Sequence, residues 1–242
     1  MPESFSPRYA IYYTPAPDHP LTVAARAWLG RDSFAGGAHR AHVESVAADP
    51  VRGTLTAAPR HYGFHATLMA PFRLRQDRTV EELERALRTF AAAWPPCPIG
   101  PLKIDMLGSF FALVPVSSIP TLHGFASHIV EEFDRFRAPL TQDEFQRRLR
   151  SPLDDIETTQ LVRWGYPYVF DRFRFHMTLT DQVPAERRAD VREELDAIFG
   201  PLLLEDYAID ALSLFTQERP SADFVVRSQF VLGSRALLKE AV

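Results

Sequence analysis

Two five-residue stretches carry the chemistry-bearing signal of this chain. Phe64-His65-Ala66-Thr67-Leu68 and Phe175-His176-Met177-Thr178-Leu179 share the frame F-H-x-T-L. A single His-x-Thr arises readily by chance, whereas the whole frame twice, each time ahead of a helical pattern, does not. On a strand, successive side chains leave on opposite faces, so His65 and Thr67 share one face while Phe64, Ala66 and Leu68 take the other. His176 and Thr178 repeat the arrangement. The apolar faces have an evident use as core, and the His/Thr faces acquire one if they meet. Two imidazoles with pKa near 6.5 form an acid–base pair, one neutral and accepting a proton, the other charged and donating one. Threonine hydroxyls can donate to oxygens that gain negative charge as a phosphorus centre becomes five-coordinate. Such a set needs neither metal nor cofactor, and unperturbed rings put its rate maximum near neutrality.

Several further residues are candidates for substrate contact. Arg174 and Arg172 alternate onto the His176 face if the strand is regular, and Arg60 and Arg227 could reach a phosphate from neighbouring elements. Each is equally well read as an exposed surface arginine. Tyr166 and Tyr168 could stack on a base or bond a phosphate, or pack as core. His61, four residues before His65, would suggest a metal pair on a helix, but the surroundings of Gly63 read as strand. The expectation is therefore no metal. His19, His39, His42, His123 and His128 have no repeat partner and read as surface or structural residues.

The elements that must hold these residues follow from periodicity. A strand is predicted over 8–14 and a helix over 20–29, with mixed helix and loop over 30–59. A strand over 62–72, a helix over 79–94, strands at 102–107 and 110–116 and a helix at 120–136 make the first pass. A strand over 173–180, a helix over 184–199 and strands at 207–215 and 223–232 make the second. Strand, helix, strand, strand thus occurs twice, which points to an internal duplication of α+β class. Residues 138–168 fall between the copies as an insertion, either covering a cleft or standing as a solvated helical hairpin.

Composition narrows the function classes. With 27 Lys+Arg against 31 Asp+Glu the chain is mildly acidic, which argues against wrapping long nucleic acid and is compatible with a local basic pocket. The single cysteine, Cys97, excludes an intramolecular disulfide and a cysteine-based zinc site. Residues 1–7 lack the pattern of a secretory signal, and no apolar run approaches the roughly 20 residues that span a bilayer, so the cytoplasm is expected.

Paired H-x-T motifs on strands of a duplicated α+β chain resemble the 2H phosphoesterase superfamily, which includes RNA 2′,5′-ligase-like proteins and cyclic nucleotide phosphodiesterases. The run YGFHATL, the stretch GYPYVF at 165–170 and the ending FTQERP to FVVRSQFVLG are similar to an uncharacterised branch often encoded beside phosphonate-degradation genes. The resemblance implies one bilobal domain over 1–242, two antiparallel sheets facing a central cleft with helices outside, and motif regions centred on 62–72 and 173–180. It also implies a metal-independent phosphodiesterase with His65 and His176 catalytic and Thr67 and Thr178 on the phosphate. A small, cyclic phosphodiester is the expected substrate. Processing of RNA 2′,3′-cyclic ends or 2′,5′ linkages, and non-catalytic sensing of a phosphorylated or phosphonate metabolite, are the alternatives.

Overall fold

The computed structural model describes residues 6–34 and 50–233. Within them lie strands β1 (Arg8–Tyr13), β2 (Ala66–Arg73), β3 (Cys97–Leu107), β4 (Phe110–Pro115), β5 (Met177–Thr178), β6 (Asp206–Ile209), β7 (Ala211–Gln217) and β8 (Val225–Val231). The helices are α1 (Pro20–Leu29), α2 (Pro50–Leu55), α3 (Ala57–Tyr62), α4 (Val80–Ala93), α5 (Pro120–Phe133), α6 (Gln142–Arg148), α7 (Asp155–Trp164) and α8 (Arg188–Phe199). Part of the mixed region expected over 30–59, together with His39 and His42, lies outside the described residues.

Local chemistry explains the main elements. The side chain of Thr79 accepts the backbone N–H of Glu82, and Glu82 accepts the N–H of Thr79, which starts α4 at both orphan donors. Leu83, Leu87 and Ala91 then recur at helical spacing and are buried. Proline opens α1 and α5, where its missing N–H costs nothing. In α8 the buried stripe is Val191, Leu195 and Phe199. Among the described residues, no helix is long and apolar enough to cross a membrane.

The strands form one eight-stranded sheet in the order β6-β3-β4-β5-β2-β1-β7-β8, with every pairing antiparallel. The α+β class and the duplication are both visible in this order. Each motif strand, however, sits beside elements of the other copy: β5 pairs with β4, and β2 connects through β1 to β7. The two sheets expected on either side of a cleft are thus the four-stranded halves of one sheet, joined where β2 meets β5. The sheet cannot be flat. In a flat sheet six steps of about 4.8 Å would put β6 roughly 29 Å from β7. Asp210 alone connects them, a reach of about 7 Å. The sheet curls to bring its ends together.

One face of this sheet and the helices share the main core, which includes Ile11, Ala66, Leu113, Met177 and Leu214 with Trp28, Leu83, Phe133 and Leu195. On the other face of β1, Ala10 and Tyr12 join Phe215 and Phe224 in a second, small cluster. Several strand boundaries differ from those predicted, β3 among them, which starts at Cys97 and not at 102. Residues 57–62 are helical, and β2 starts only at Ala66, because Gly63 turns the chain with φ 81. A side chain at this glycine would run into Ser33. The strand predicted over 173–180 shrinks to Met177–Thr178, the residues that meet partners on β2 and β4. The strand predicted over 207–215 is divided at Asp210, where the chain changes its sheet neighbours.

Candidate functional site

The two motifs are built alike. His65 follows the Gly63 turn, and its Nδ1 lies 2.8 Å from the Gly63 carbonyl oxygen. His176 places its Nδ1 2.8 Å from the carbonyl of Arg174, again the residue two positions earlier. A carbonyl only accepts, so in each neutral ring Nδ1 carries the proton and Nε2 is left as the acceptor. Thr67 Oγ1 lies 3.2 Å from His65 Nε2 and can donate to it. Phe64, Ala66 and Leu68, with Phe175, Met177 and Leu179, are buried on the opposite face, as alternation requires.

Distant elements fix both stretches. The indole N–H of Trp28 in α1 donates to the Leu179 carbonyl at 2.8 Å, and Thr180 Oγ1 accepts the N–H of Phe111 at 2.9 Å. Arg31 donates to the carbonyls of Arg60, His61 and Phe224, locking the residues ahead of Gly63 against the approach to β8. Tyr12 stacks under the His65 ring, with centroids 3.8 Å apart and planes 22° from parallel.

The strand register brings the motifs together. Ala66 lies opposite Met177 in the antiparallel β2–β5 pair. One residue either way, His65 then opposes Thr178 and Thr67 opposes His176, all on the face away from the core. The two histidines are diagonal across the pair, a relation that separates residues by about 7–8 Å. All four side chains line one cavity of about 400 Å³. They are partly exposed there, at the join between the half-sheets.

Burial pushes the His65 imidazole down to about 4; the Gly63 carbonyl opposes the shift and the neighbouring His176 adds to it. His176 is also lowered, by burial first and then by the charge of Arg174, against the pull of the Arg174 carbonyl. Burial raises the Tyr12 hydroxyl well above its ordinary range, so the ring stacked on His65 stays neutral. A stability effect follows. Between pH 6.5 and about 4 the unfolded chain holds a proton on residue 65 that the folded protein does not. The stabilisation is therefore complete above pH 6.5 and lost as pH falls through that window. The melting temperature is expected to drop over this range. His65→Asn, which keeps an N–H for the Gly63 carbonyl but does not titrate, is expected to flatten the drop. An unchanged slope in the variant would contradict this.

The region over 138–168 supplies much of the cavity's remaining wall. Arg73, at the end of β2, donates to the Pro139 carbonyl at 2.8 Å and clasps both oxygens of Glu144 at 3.2 and 3.0 Å. Burial pushes the Glu144 carboxyl up, but Arg73 and the N–H of Thr141 overcome this and hold it at about 2. Helix α6 is thereby pinned to β2, although none of its residues is buried. Its Arg147 and Arg148 line the histidine cavity, as do Tyr166 beyond α7 and Arg8 of β1. Arg148 lies over the Tyr166 ring at 5.2 Å, and Arg8 Nε donates at 2.7 Å to Oε1 of the buried Gln217.

The other predicted contacts divide into two groups. Arg174 and Tyr168 line a neighbouring cavity of about 560 Å³, which shares Thr67, Tyr166 and His176 with the first. Arg60 and Arg227 line neither cavity. Arg60 is turned toward the Leu29 carbonyl and Thr56 Oγ1, and Arg227 faces Glu84 and Glu81 of α4. His61 pairs with Asp223 at 3.1 Å and meets the Gln217 amide. Among the described residues, no group of three His, Cys, Asp or Glu is placed to hold a metal ion. Arg8, Tyr12, Arg147 and Arg148 were not singled out by motif or face. The legible signal for the last two was a short charged helix with Phe145 as its one apolar residue, too little for an apolar stripe.

Comparison with known proteins adds family and setting. The chain is 38% identical over 229 residues to a Janthinobacterium sp. (strain Marseille) protein named ribose 1,5-bisphosphate phosphokinase PhnN, covering 90% of this chain and 49% of that protein. A Laribacter hongkongensis (strain HLHK9) protein of the same name is 32% identical over 217 residues, with 90% and 50% covered. The chain therefore spans about half the length of the curated relatives it matches. Among solved structures, it is similar to E. coli LigT complexed with 3′-AMP, at 12% identity and TM-score 0.42 over 94% of this chain and 99% of that one. A Thermus thermophilus structure gives 14% identity and TM-score 0.47 over 93% and 98%. At such scores these two likenesses carry no weight of their own. The family described as protein of unknown function (DUF1045) matches residues 67–225, from Thr67 of the first motif to the start of β8, and the chain belongs to that family.

Proposed function

We propose that the protein is a metal-independent phosphodiesterase acting on a small cyclic phosphodiester. The β2–β5 register carries this reading, because it sets two histidines and two threonines on one partly exposed face. Each Nδ1 is held by a carbonyl and each Nε2 is left as the proton acceptor, that of His65 beside the Thr67 hydroxyl. His65, the ring pushed down to about 4, is neutral near pH 7 and serves as base. It takes a proton from water as the water oxygen attacks phosphorus. His176, charged once an anion is bound beside it, gives a proton to the leaving ester oxygen as the P–O bond breaks. Thr67 and Thr178 donate to the non-bridging oxygens while their charge grows. In a cyclic ester the leaving oxygen stays tethered near the acid.

The relatives' name PhnN is in keeping with the phosphonate-associated branch that the motifs resemble, and the substrate in that name is a phosphorylated ribose. The kinase part of that name belongs to proteins about twice this length. This sequence holds no G-x-x-x-x-G-K-S/T run to cradle a nucleotide triphosphate. Cleavage of RNA 2′,3′-cyclic ends or 2′,5′ linkages uses the same chemistry and would appear as faster turnover of an oligonucleotide than of a mononucleotide.

The test is a pH–rate profile on cyclic phosphates, with and without a strong chelator. Productive protein needs one ring charged and one neutral, and both rings are lowered from 6.5 in the free protein. kcat/KM is therefore expected to peak below pH 6.5 and to fall above it, not at the neutrality that unperturbed rings imply. A bound anion favours the charged rings, so the kcat profile should lie at higher pH. The apparent values belong to the coupled pair. Chelation is expected to leave both curves in place. Activity that vanishes with the metal and returns on adding it back would overturn the two-histidine mechanism. Tight ligand binding without turnover at any pH would instead favour a sensor.

A further inference from the structure

The histidine cavity carries more positive charge than a phosphodiester requires. A diester brings one negative charge, yet Arg8, Arg147 and Arg148 all line this space. Arg73, Arg137 and Arg172 are neutralised within the fold, by Glu144, Asp134 and Asp154. Among the described residues, Arg8, Arg147 and Arg148 form no ion pair. Glu144, the carboxylate that also lines the cavity, is committed to Arg73 and to the N-terminus of α6. Burial lowers the Arg148 guanidinium; Tyr166 and Glu144 oppose the shift, and the like charge of Arg8 adds to it.

The way α6 is held points in the same direction. None of the residues of α6 is fully buried, so hydrophobic burial contributes little to its placement. The Arg73–Glu144 clasp fixes it at the end of β2, and its last turn presents Arg147 and Arg148 to the cavity. The neighbouring larger cavity is lined by three carboxylates, Asp154, Glu157 and Asp171, against two guanidiniums, Arg172 and Arg174. A second anionic group is therefore drawn to the α6 side and a neutral polar group to the other.

We propose that Arg8, Arg147 and Arg148 form a subsite for a phosphomonoester carried by the same small molecule whose phosphodiester lies between His65 and His176. This rests on the phosphodiesterase reading and narrows its substrate class to cyclic phosphodiesters bearing a terminal phosphate. A monoester carries about −1.5 to −2 charge near neutral pH and presents three acceptor oxygens, which matches a cluster of unpaired guanidiniums. A cavity of about 400 Å³ is ample for a sugar with two phosphate groups.

The experiment compares cytidine 2′,3′-cyclic phosphate with the same compound carrying a 5′-phosphate, using the full chain and the Arg147→Gln/Arg148→Gln double variant. Wild type is expected to show at least about tenfold higher kcat/KM on the phosphorylated probe, the worth of one charge-assisted contact. The double variant should lose at least about tenfold more on the phosphorylated probe than on the plain one. Calorimetry with ribose 5-phosphate supplies a readout independent of turnover: wild type binds, ribose itself does not compete, and the double variant binds at least about tenfold more weakly. Equal turnover of the two probes, or equal losses on both, would overturn the subsite while leaving the phosphodiesterase reading intact. If neither probe is turned over but ribose 5-phosphate binding depends on the two arginines, the subsite stands and the phosphodiesterase reading falls. Circular dichroism confirms that the variant compared is folded, and Arg147→Lys/Arg148→Lys should restore part of the binding.

Discussion

Alanine at His65 or at His176 is expected to lower turnover of a cyclic phosphodiester by at least about a hundredfold, the usual scale of a lost general acid or base. The reason lies in the pairing: the site needs one ring to take a proton and the other to give one, and neither hydroxyl beside them can replace an imidazole. The double variant should be little worse than either single one, because groups that act as one unit are strongly non-additive. Neither ring is part of the main hydrophobic core, so the variants should fold. The fall should be in kcat more than in KM, since an imidazole contributes most as the proton moves. Steady-state kinetics on wild type and the three variants, with circular dichroism as the check on folding, decides the matter. Full activity in His176→Ala on a substrate the wild type hydrolyses would remove the paired role.

Valine at Thr67 or Thr178 keeps the branched shape and removes the hydroxyl, and each is expected to cost on the order of ten- to a thousandfold in kcat, as for one lost oxyanion donor. The two positions should not behave identically. Thr67 also lies 3.2 Å from His65 Nε2, where its hydroxyl supports the neutral ring. Losing that donor should raise the His65 pKa and move the acid limb of the pH–rate profile upward. Thr178, opposite His65 across the strand pair, should change the rate with a smaller effect on that limb. Serine at either position should recover much of the loss. A Thr67→Val enzyme with the wild-type rate and pH profile would show that the hydroxyl faces neither phosphate nor ring.

The local elements were legible because their signals are short-ranged. Alternation in F-H-x-T-L placed Phe64, Ala66, Leu68, Phe175, Met177 and Leu179 in the core and the His/Thr pairs away from it. The capping residue Thr79 and the spacing of Leu83, Leu87 and Ala91 marked α4. Boundaries failed where a long-range contact set them. The Gly63 turn depends on the space beside Ser33, and β5 is as short as its overlap with Ala66, Ala112 and Leu113 permits. Arg60 and Arg227 looked as eligible as Arg174, but partners remote in sequence, Leu29 and Glu84, turn them elsewhere.

The sequence by itself determined the duplicated α+β plan, the two motifs and which face of each carries the histidine, because these depend on backbone geometry over a few residues. Tertiary structure decided that the half-sheets join edge to edge through Ala66 and Met177, and that each motif strand lies beside strands of the other copy. It also decided the proton affinities of the rings, since burial on Tyr12 and the carbonyls of Gly63 and Arg174 act only in the folded chain. The placement of Arg8, Arg147 and Arg148 around one cavity belongs to the same level. These arginines come from the first strand and from the segment between the copies, and a charge's meaning depends on which carboxylates lie within a few ångströms once the chain has closed.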